Sequence, residues 1–237
     1  MAMLRRVQPE TLDHVALWVA DRDRIADFVT AKAGMHVVDR TDAFTLVGSD
    51  ARRGKLTLFA AEGPRERGAL KHVALRVSSL EEAIGGLNGA VDRPREGEAY
   101  VDVSEGLRLG FVEAPTEVEY DLDHVALFST SPEETAREYE SLGFTAASPG
   151  PSGTPRVEVG GAFVEFHDGE PGSPERPLLN HLAVLVDSAE ETLGEAKAAG
   201  MDVADVVDAP NTYAIFIWGP EGVKIEYVEQ KPTFALK

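Results

Sequence analysis

Apolar and polar positions alternate along the chain in a pattern that returns four times. Leu12-Asp-His14-Val-Ala-Leu17, Leu70-Lys-His72-Val-Ala-Leu75, Leu122-Asp-His124-Val-Ala-Leu127 and Leu179-Asn-His181-Leu-Ala-Val184 each open one copy, with the histidines 58, 52 and 57 residues apart. Alternation of this kind predicts half-buried strands, and a fixed recurrence predicts a repeated structural unit. Helix-favouring segments follow each strand: Asp21 to Lys32, Ser78 to Leu87, Ser131 to Ser141 and Asp187 to Ala199. Ser79, Ser131 and Ser188 precede acidic pairs, as N-caps do, and Gly34, Gly143 and Gly200 stand at helix exits. Further short β-rich segments complete each copy, among them Lys55 to Ala60, Leu107 to Glu113, Ala162 to His167 and Val223 to Val228. The predicted unit is β-α-β-β-β.

Gly- and Pro-containing stretches at Pro64 to Gly68, Ala114 to Tyr120 and Glu170 to Pro177 separate the units. The expected fold class is α+β, with four βαβββ modules paired into two domains with concave mixed sheets. Consecutive pairing gives residues 1–116 (modules about 11–63 and 69–114) and residues 117–237 (modules about 121–169 and 178–230). Because alternate strand residues face opposite sides, Val15, Leu17 and Val19 should meet the helix while His14, Ala16 and Trp18 face the concave side.

Composition narrows the chemistry. The chain has 237 residues, 43% of them hydrophobic, which is enough for two cores, and a formal charge of -18 that disfavours nucleic acid and anionic membranes as partners. No apolar run has the length of a bilayer span, so the expected setting is cytoplasmic, the expected partner a small-molecule substrate, and the state a monomer or homo-oligomer. With no cysteine, any metal must be held by imidazole and carboxylate. The stretches Thr145 to Pro155 and Val203 to Asn211 are expected to be flexible loops that carry substrate selectivity.

The repeated histidines, together with the closing run Gly222-Val-Lys-Ile-Glu226-Tyr, resemble the vicinal oxygen chelate superfamily. That superfamily includes glyoxalase I, methylmalonyl-CoA epimerase, the fosfomycin and bleomycin resistance proteins, and extradiol dioxygenases. The resemblance implies a histidine on the first strand of each paired module and a carboxylate on the last strand of one or both. Carried onto this chain, it implies one divalent metal ion (Fe2+, Mn2+, Ni2+, Co2+ or Zn2+) held in the C-terminal half by His124, His181, Glu226 and Glu165. Gap-free alignment of the closing strands sets Leu58 opposite Glu165 and Gly110 opposite Glu226. The N-terminal half is therefore expected to be degenerate, with His14 and His72 as relics of duplication.

Glu165 and His167 are candidates for acid-base catalysis, although His167 closes a strand beside Asp168-Gly169 and is more readily explained by solvation. Phe216 and Trp218 are candidates for an apolar substrate wall, while Tyr213 alternates away from them and should pack beneath a helix; His36 carries the weakest signal. Four protein ligands leave two octahedral positions, which suits a glyoxalase-like or epimerase-like isomerase or lyase. Extradiol ring cleavage with Fe(II) is the alternative: the four-module layout favours it, while Phe216 and Gly160-Gly161 fall where that family carries tyrosine and histidine. A metal-free binding protein of the bleomycin-resistance kind is the third reading.

Overall fold

The computed structural model describes Leu4, residues 7–87 and residues 90–236. The first copy contributes β1 (Thr11–Val19), α1 (Arg22–Ala33), β2 (His36–Arg40), β3 (Phe44–Gly48) and β4 (Lys55–Ala60). The second contributes β5 (Leu70–Val77), α2 (Leu80–Ile84), β6 (Glu98–Ser104) and β7 (Leu107–Glu113). The third follows with β8 (Asp121–Ser129), α3 (Pro132–Ser141), β9 (Thr145–Ala146), β10 (Arg156–Val159) and β11 (Ala162–Asp168). The last consists of β12 (Leu179–Leu185), α4 (Ala189–Ala199), β13 (Val203–Asp208), β14 (Thr212–Trp218) and β15 (Lys224–Gln230).

Local chemistry explains the helix ends. Asp21, Ser79 and Ser188 accept hydrogen bonds from the backbone N–H groups of Arg24, Glu82 and Glu191, satisfying donors that the first turn leaves free. Ser131 makes no such bond; its N–H donates instead to Ser129 Oγ, and Ser129 bonds Thr135. Val15, Leu17 and Val19 are fully buried on the helix side, in agreement with the alternation, and leave the opposite face of β1 to the cleft.

The four modules form two mixed sheets, one of eight strands in the order β13-β14-β15-β12-β1-β4-β3-β2 and one of seven in the order β6-β7-β5-β8-β11-β10-β9. This corrects the expected domain partition at residue 116. The first module pairs with the fourth through antiparallel β1 and β12, and the second pairs with the third through antiparallel β5 and β8. Every module offers the same kind of first-strand edge, so the internal repeat does not specify which copy takes which partner. A second correction concerns Val203 to Asn211, most of which is the edge strand β13, paired with β14. Val206 and Val207 lie exposed on it, and the lack of a buried face hid its strand character.

The two domains touch closely where the β10–β11 hairpin turns. Gly160 adopts φ +56, and a Cβ there would stand 2.1 Å from the carbonyl oxygen of Glu10 and 2.8 Å from Thr11 Cα, both rigid backbone at the start of β1. Gly160→Ala is therefore expected to cost about 2–4 kcal/mol, combining left-handed strain with overpacking. Gly106 provides the control, since it adopts φ +79 and a Cβ there would meet nothing within 4 Å. Gly106→Ala should cost only about 1 kcal/mol, and urea midpoints at constant slope will compare the two.

Candidate metal centre

Three side chains converge on the concave face of the eight-stranded sheet. His14 comes from β1, His181 from the adjoining β12 and Glu226 from β15 beside it. The two Nε2 atoms lie 3.1 Å apart, and Glu226 Oε2 stands 3.2 Å from that of His14 and 2.9 Å from that of His181. Glu226 Oε2 is buried and accepts no well-aligned hydrogen bond, so it points into the gap between the imidazoles. Donors held about 2.0–2.2 Å from one ion at right angles to each other lie about 3 Å apart, which the three separations match. Two imidazoles and a carboxylate on one face are also the right chemistry for a divalent ion.

The surroundings fix which imidazole nitrogen faces the gap. His14 Nδ1 donates to Asp13 Oδ1 at 2.6 Å, and Asp13 is in turn held by Lys55 Nζ at 3.0 Å. His181 Nδ1 stands 3.3 Å from Asn180 Oδ1. Both Nε2 atoms are thus turned toward Glu226, as oriented metal ligands are. Burial disfavours a charged imidazole at His14, but the Asp13 hydrogen bond and the Glu226 carboxylate outweigh it and raise its pKa to about 9. Burial lowers the pKa of His181, only partly opposed by Glu226. Burial would raise Glu226, yet the two imidazoles hold its carboxyl well below the usual carboxylate range.

A cavity of about 410 Å³ adjoins the cluster, with Phe44, Leu46, Val228 and Phe234 as apolar wall and Asp39, Asn211 and Gln230 as polar lining. The ring of His181 is flanked by Phe59 at 6.3 Å and Phe216 at 5.1 Å between centroids.

Residues 11–93, about a third of the chain, match the model of the Glyoxalase/Bleomycin resistance protein/Dioxygenase superfamily. No curated protein matches the sequence. Among solved structures, a provisionally assigned dioxygenase from Bacillus subtilis strain 168 aligns with a TM-score of 0.78 at 19% identity, covering 96% of this chain and 87% of its own. Glyoxalase I from Zea mays aligns with a TM-score of 0.70 at 18% identity, covering 95% and 94%. The cppA protein from Streptococcus pneumoniae TIGR4 aligns with a TM-score of 0.63 at 14% identity, covering 94% and 100%. The chain has the vicinal oxygen chelate fold.

In this vicinal oxygen chelate fold, the anticipated ligand set divides between the two sheets. His181 and Glu226 sit together, but their partner is His14, whereas His124 and Glu165 belong to the seven-stranded sheet with His72. The expected four-ligand cleft of His124, His181, Glu226 and Glu165 therefore does not form, and His14 is not an isolated relic. The only sequence sign of this was the Asp-His pair at Asp13-His14, and Asp123-His124 carries the same pair.

Leu58 also needs correction. The registers pair Glu165 with Ala126, Glu226 with Ala183 and Gly110 with Ala74, while Ala16 pairs with Thr57. Thr57 thus takes the position equivalent to the carboxylates, and Leu58 is fully buried on the helix side. Gly160-Gly161 turns directly from β10 into β11, whereas residues 49–54 make a longer connection with a bridge between Asp50 and Arg53. Gly54 therefore stands one residue nearer the ligand position than Gly161, and a one-residue slip reverses every side chain.

The seven-stranded sheet holds a second group of similar composition but different geometry. The Nε2 atoms of His72 and His124 lie 2.9 Å apart, and His124 Nδ1 donates to Asp123, which is fixed by Arg76. Glu165 turns toward other partners: Oε2 lies 3.5 Å from His167 Nε2 and Oε1 lies 3.6 Å from Arg156 Nη1. His167 in turn meets Lys71 Nζ at 2.9 Å. At Gly110 a Cβ would stand 2.5 Å from the Tyr100 ring, so an aromatic side chain fills the place of a second carboxylate. Among the described residues, His14, His181 and Glu226 alone bring three such donors within 4.8 Å of one another.

Phe216 faces the concave side against His181, and Trp218, 45% exposed, stands at the cleft mouth. Tyr213 packs against the core beneath the helices, and His36 lies exposed on β2.

Proposed function

We propose that the protein is a metal-dependent enzyme acting on a small substrate through two neighbouring oxygens, with His14, His181 and Glu226 as ligands and ring-cleaving dioxygenation as its reaction class. The observation that carries this reading is the convergence of three donors, not four, beside a partly apolar cavity. A bound divalent ion would supply Lewis acidity and, as iron(II), a route to reaction with dioxygen. Three protein donors leave three octahedral positions, the number that a two-oxygen chelate and dioxygen require together. The count that favoured an isomerase or lyase depended on Glu165, which lies on the other sheet.

The chain's own residues have distinct tasks. Asp13, braced by Lys55, holds His14 with Nε2 inward, and Asn180 does the same for His181. Phe59 and Phe216 meet the His181 ring at steep angles and pack around it, where it is buried. Thr57 presents a hydroxyl, rather than a fourth anion, at the remaining ligand position. Asp13→Asn is expected to weaken metal affinity about 10–100-fold, as measured by chelator competition, and to lower stability because the buried Lys55 ammonium loses its carboxylate partner.

A second reading, proton transfer next to a metal-bound carbonyl, is favoured by the lining itself. Apart from His14, the described cavity residues offer carboxylates at Asp13, Asp39 and Glu226 but no imidazole or phenol to relay protons. Elemental analysis and oxygen uptake separate the readings. Iron near one per chain with oxygen consumption on a catechol supports ring cleavage, and retained metal without oxygen consumption supports the isomerase or lyase. Failure to retain iron, manganese, nickel, cobalt or zinc after loading would leave only a ligand-binding cleft.

A further inference from the structure

We propose that the substrate carries an anionic group held by Lys224 in a tryptophan-walled compartment at the opposite end of the cleft from the apolar cavity. The inference rests on the substrate-chelating reading above and adds a chemical class: a flat, acidic molecule such as an aromatic carboxylate. Its basis is a second cavity of about 530 Å³ lined by Trp18, Leu179, Trp218, Val223 and Lys224, with the chain around Ser173 on the far side; Glu175 and Glu221 also line it, Glu221 accepting from Thr135, and neither acts on Lys224.

Strand positions show how the two cavities relate. Along β15, Glu226 and Val228 line the first cavity and Lys224 the second; along β14, Thr212 lines the first and Trp218 the second; along β1, His14 lines the first and Trp18 the second. The metal-ligating cluster thus lies between two ends of one groove. Lys224 is the register partner of His181, and it shares a face with Glu226 at about 6.6 Å along the strand. A substrate chelated at the cluster needs to extend by only about one aromatic ring to reach it.

The chemistry of the compartment specifies the charge. Lys224 Nζ lies 5.7 Å from the Trp218 ring and 5.9 Å from that of Phe216, and among the described residues no carboxylate hydrogen-bonds it or forms an ion pair with it. Asp205 and Glu226 act on it only at longer range, and Glu226 is already shared by two imidazoles. A half-buried ammonium without a counter-ion in a chain of net charge -18 is an unusual feature, and it lies beside a 45% exposed tryptophan. Aromatic walls with a cation at the end suit a planar acid: the ring stacks and the carboxylate pairs.

The test uses full-length protein stripped of metal, so it does not depend on catalysis. Trp18 and Trp218 are the chain's two tryptophans and both line this compartment, so intrinsic fluorescence reports on it directly. 3,4-Dihydroxybenzoate and its neutral amide would be titrated at neutral pH, with correction for probe absorbance. The acid should bind at least about 10-fold more tightly than the amide, a preference weakened by salt. Lys224→Gln should abolish the preference without changing amide affinity, and Lys224→Arg should retain it. Equal affinities, a preference that survives in Lys224→Gln, or no fluorescence response to the acid would each overturn the proposal. A failure of the metal reading would appear separately, as absence of retained metal.

Discussion

His14→Ala is expected to abolish stoichiometric metal binding by the full-length protein, while His124→Ala leaves it unchanged. His14 supplies one of three donors within 3.2 Å of each other, and an alanine leaves His181 and Glu226 as a two-point site. Affinity should fall at least about 100-fold, more than the loss from an outer-shell change. His124 belongs to the other sheet, where its imidazole bonds His72 and Glu165 turns to His167 and Arg156. Metal content after dialysis against a chelator reads the contrast. The reverse pattern, metal lost with His124 and kept without His14, would overturn the first-with-fourth pairing as the basis of the site.

The stability of the metal-free protein should fall by about 3 kcal/mol as the pH rises from about 6.5 through about 9. Folding raises the pKa of His14 to about 9 from an ordinary 6.5, because the Asp13 hydrogen bond and Glu226 overcome the burial that opposes its charge. A raised folded-state pKa means that the native state holds a proton which the unfolded chain releases. The resulting stabilisation is complete below the unfolded value and is lost as the pH climbs through the folded one. Glu226, with its depressed pKa, contributes in the opposite direction and only in acid. Urea denaturation with chelator present should therefore show a sloping stability between these limits, and Glu226→Gln should flatten it. At neutral pH an incoming cation must displace the His14 proton, so calorimetric heats should vary with the buffer's ionisation enthalpy. A flat profile in the wild-type protein would contradict the linkage.

These expectations depend on a site that the sequence revealed only in pieces. The repeated Leu-x-His runs, the serine caps and the β-rich closing segments show the modules because local periodicity and turn chemistry act within a few residues. His181 and Glu226 were legible for the same reason, since both lie in one module. His14 was not, because its partnership is made across the β1–β12 joint, and every first strand in the repeat looks equally able to make that joint. Thr57 was hidden by a turn. The glycine that marks the β10–β11 hairpin at Gly161 lies four residues before Glu165, whereas Gly54 lies three before Thr57, so matching the glycines shifts the strand by one. The turn of the Glu165 carboxylate toward Arg156 and His167 is a competition among side chains on neighbouring strand positions that periodicity does not encode.

The joining of the first module to the last has a further consequence during synthesis. His14 and His181 stand 167 positions apart in sequence, and β1 lies in the interior of its sheet, between β12 and β4. Until β12 leaves the ribosome, one edge of β1 has no partner, and an open strand edge is a template for wrong pairing. Such a long-range closure also predicts slow folding. Any product that stops before β15 lacks Glu226, so metal retention doubles as a record that translation passed the closing strand of the fourth module.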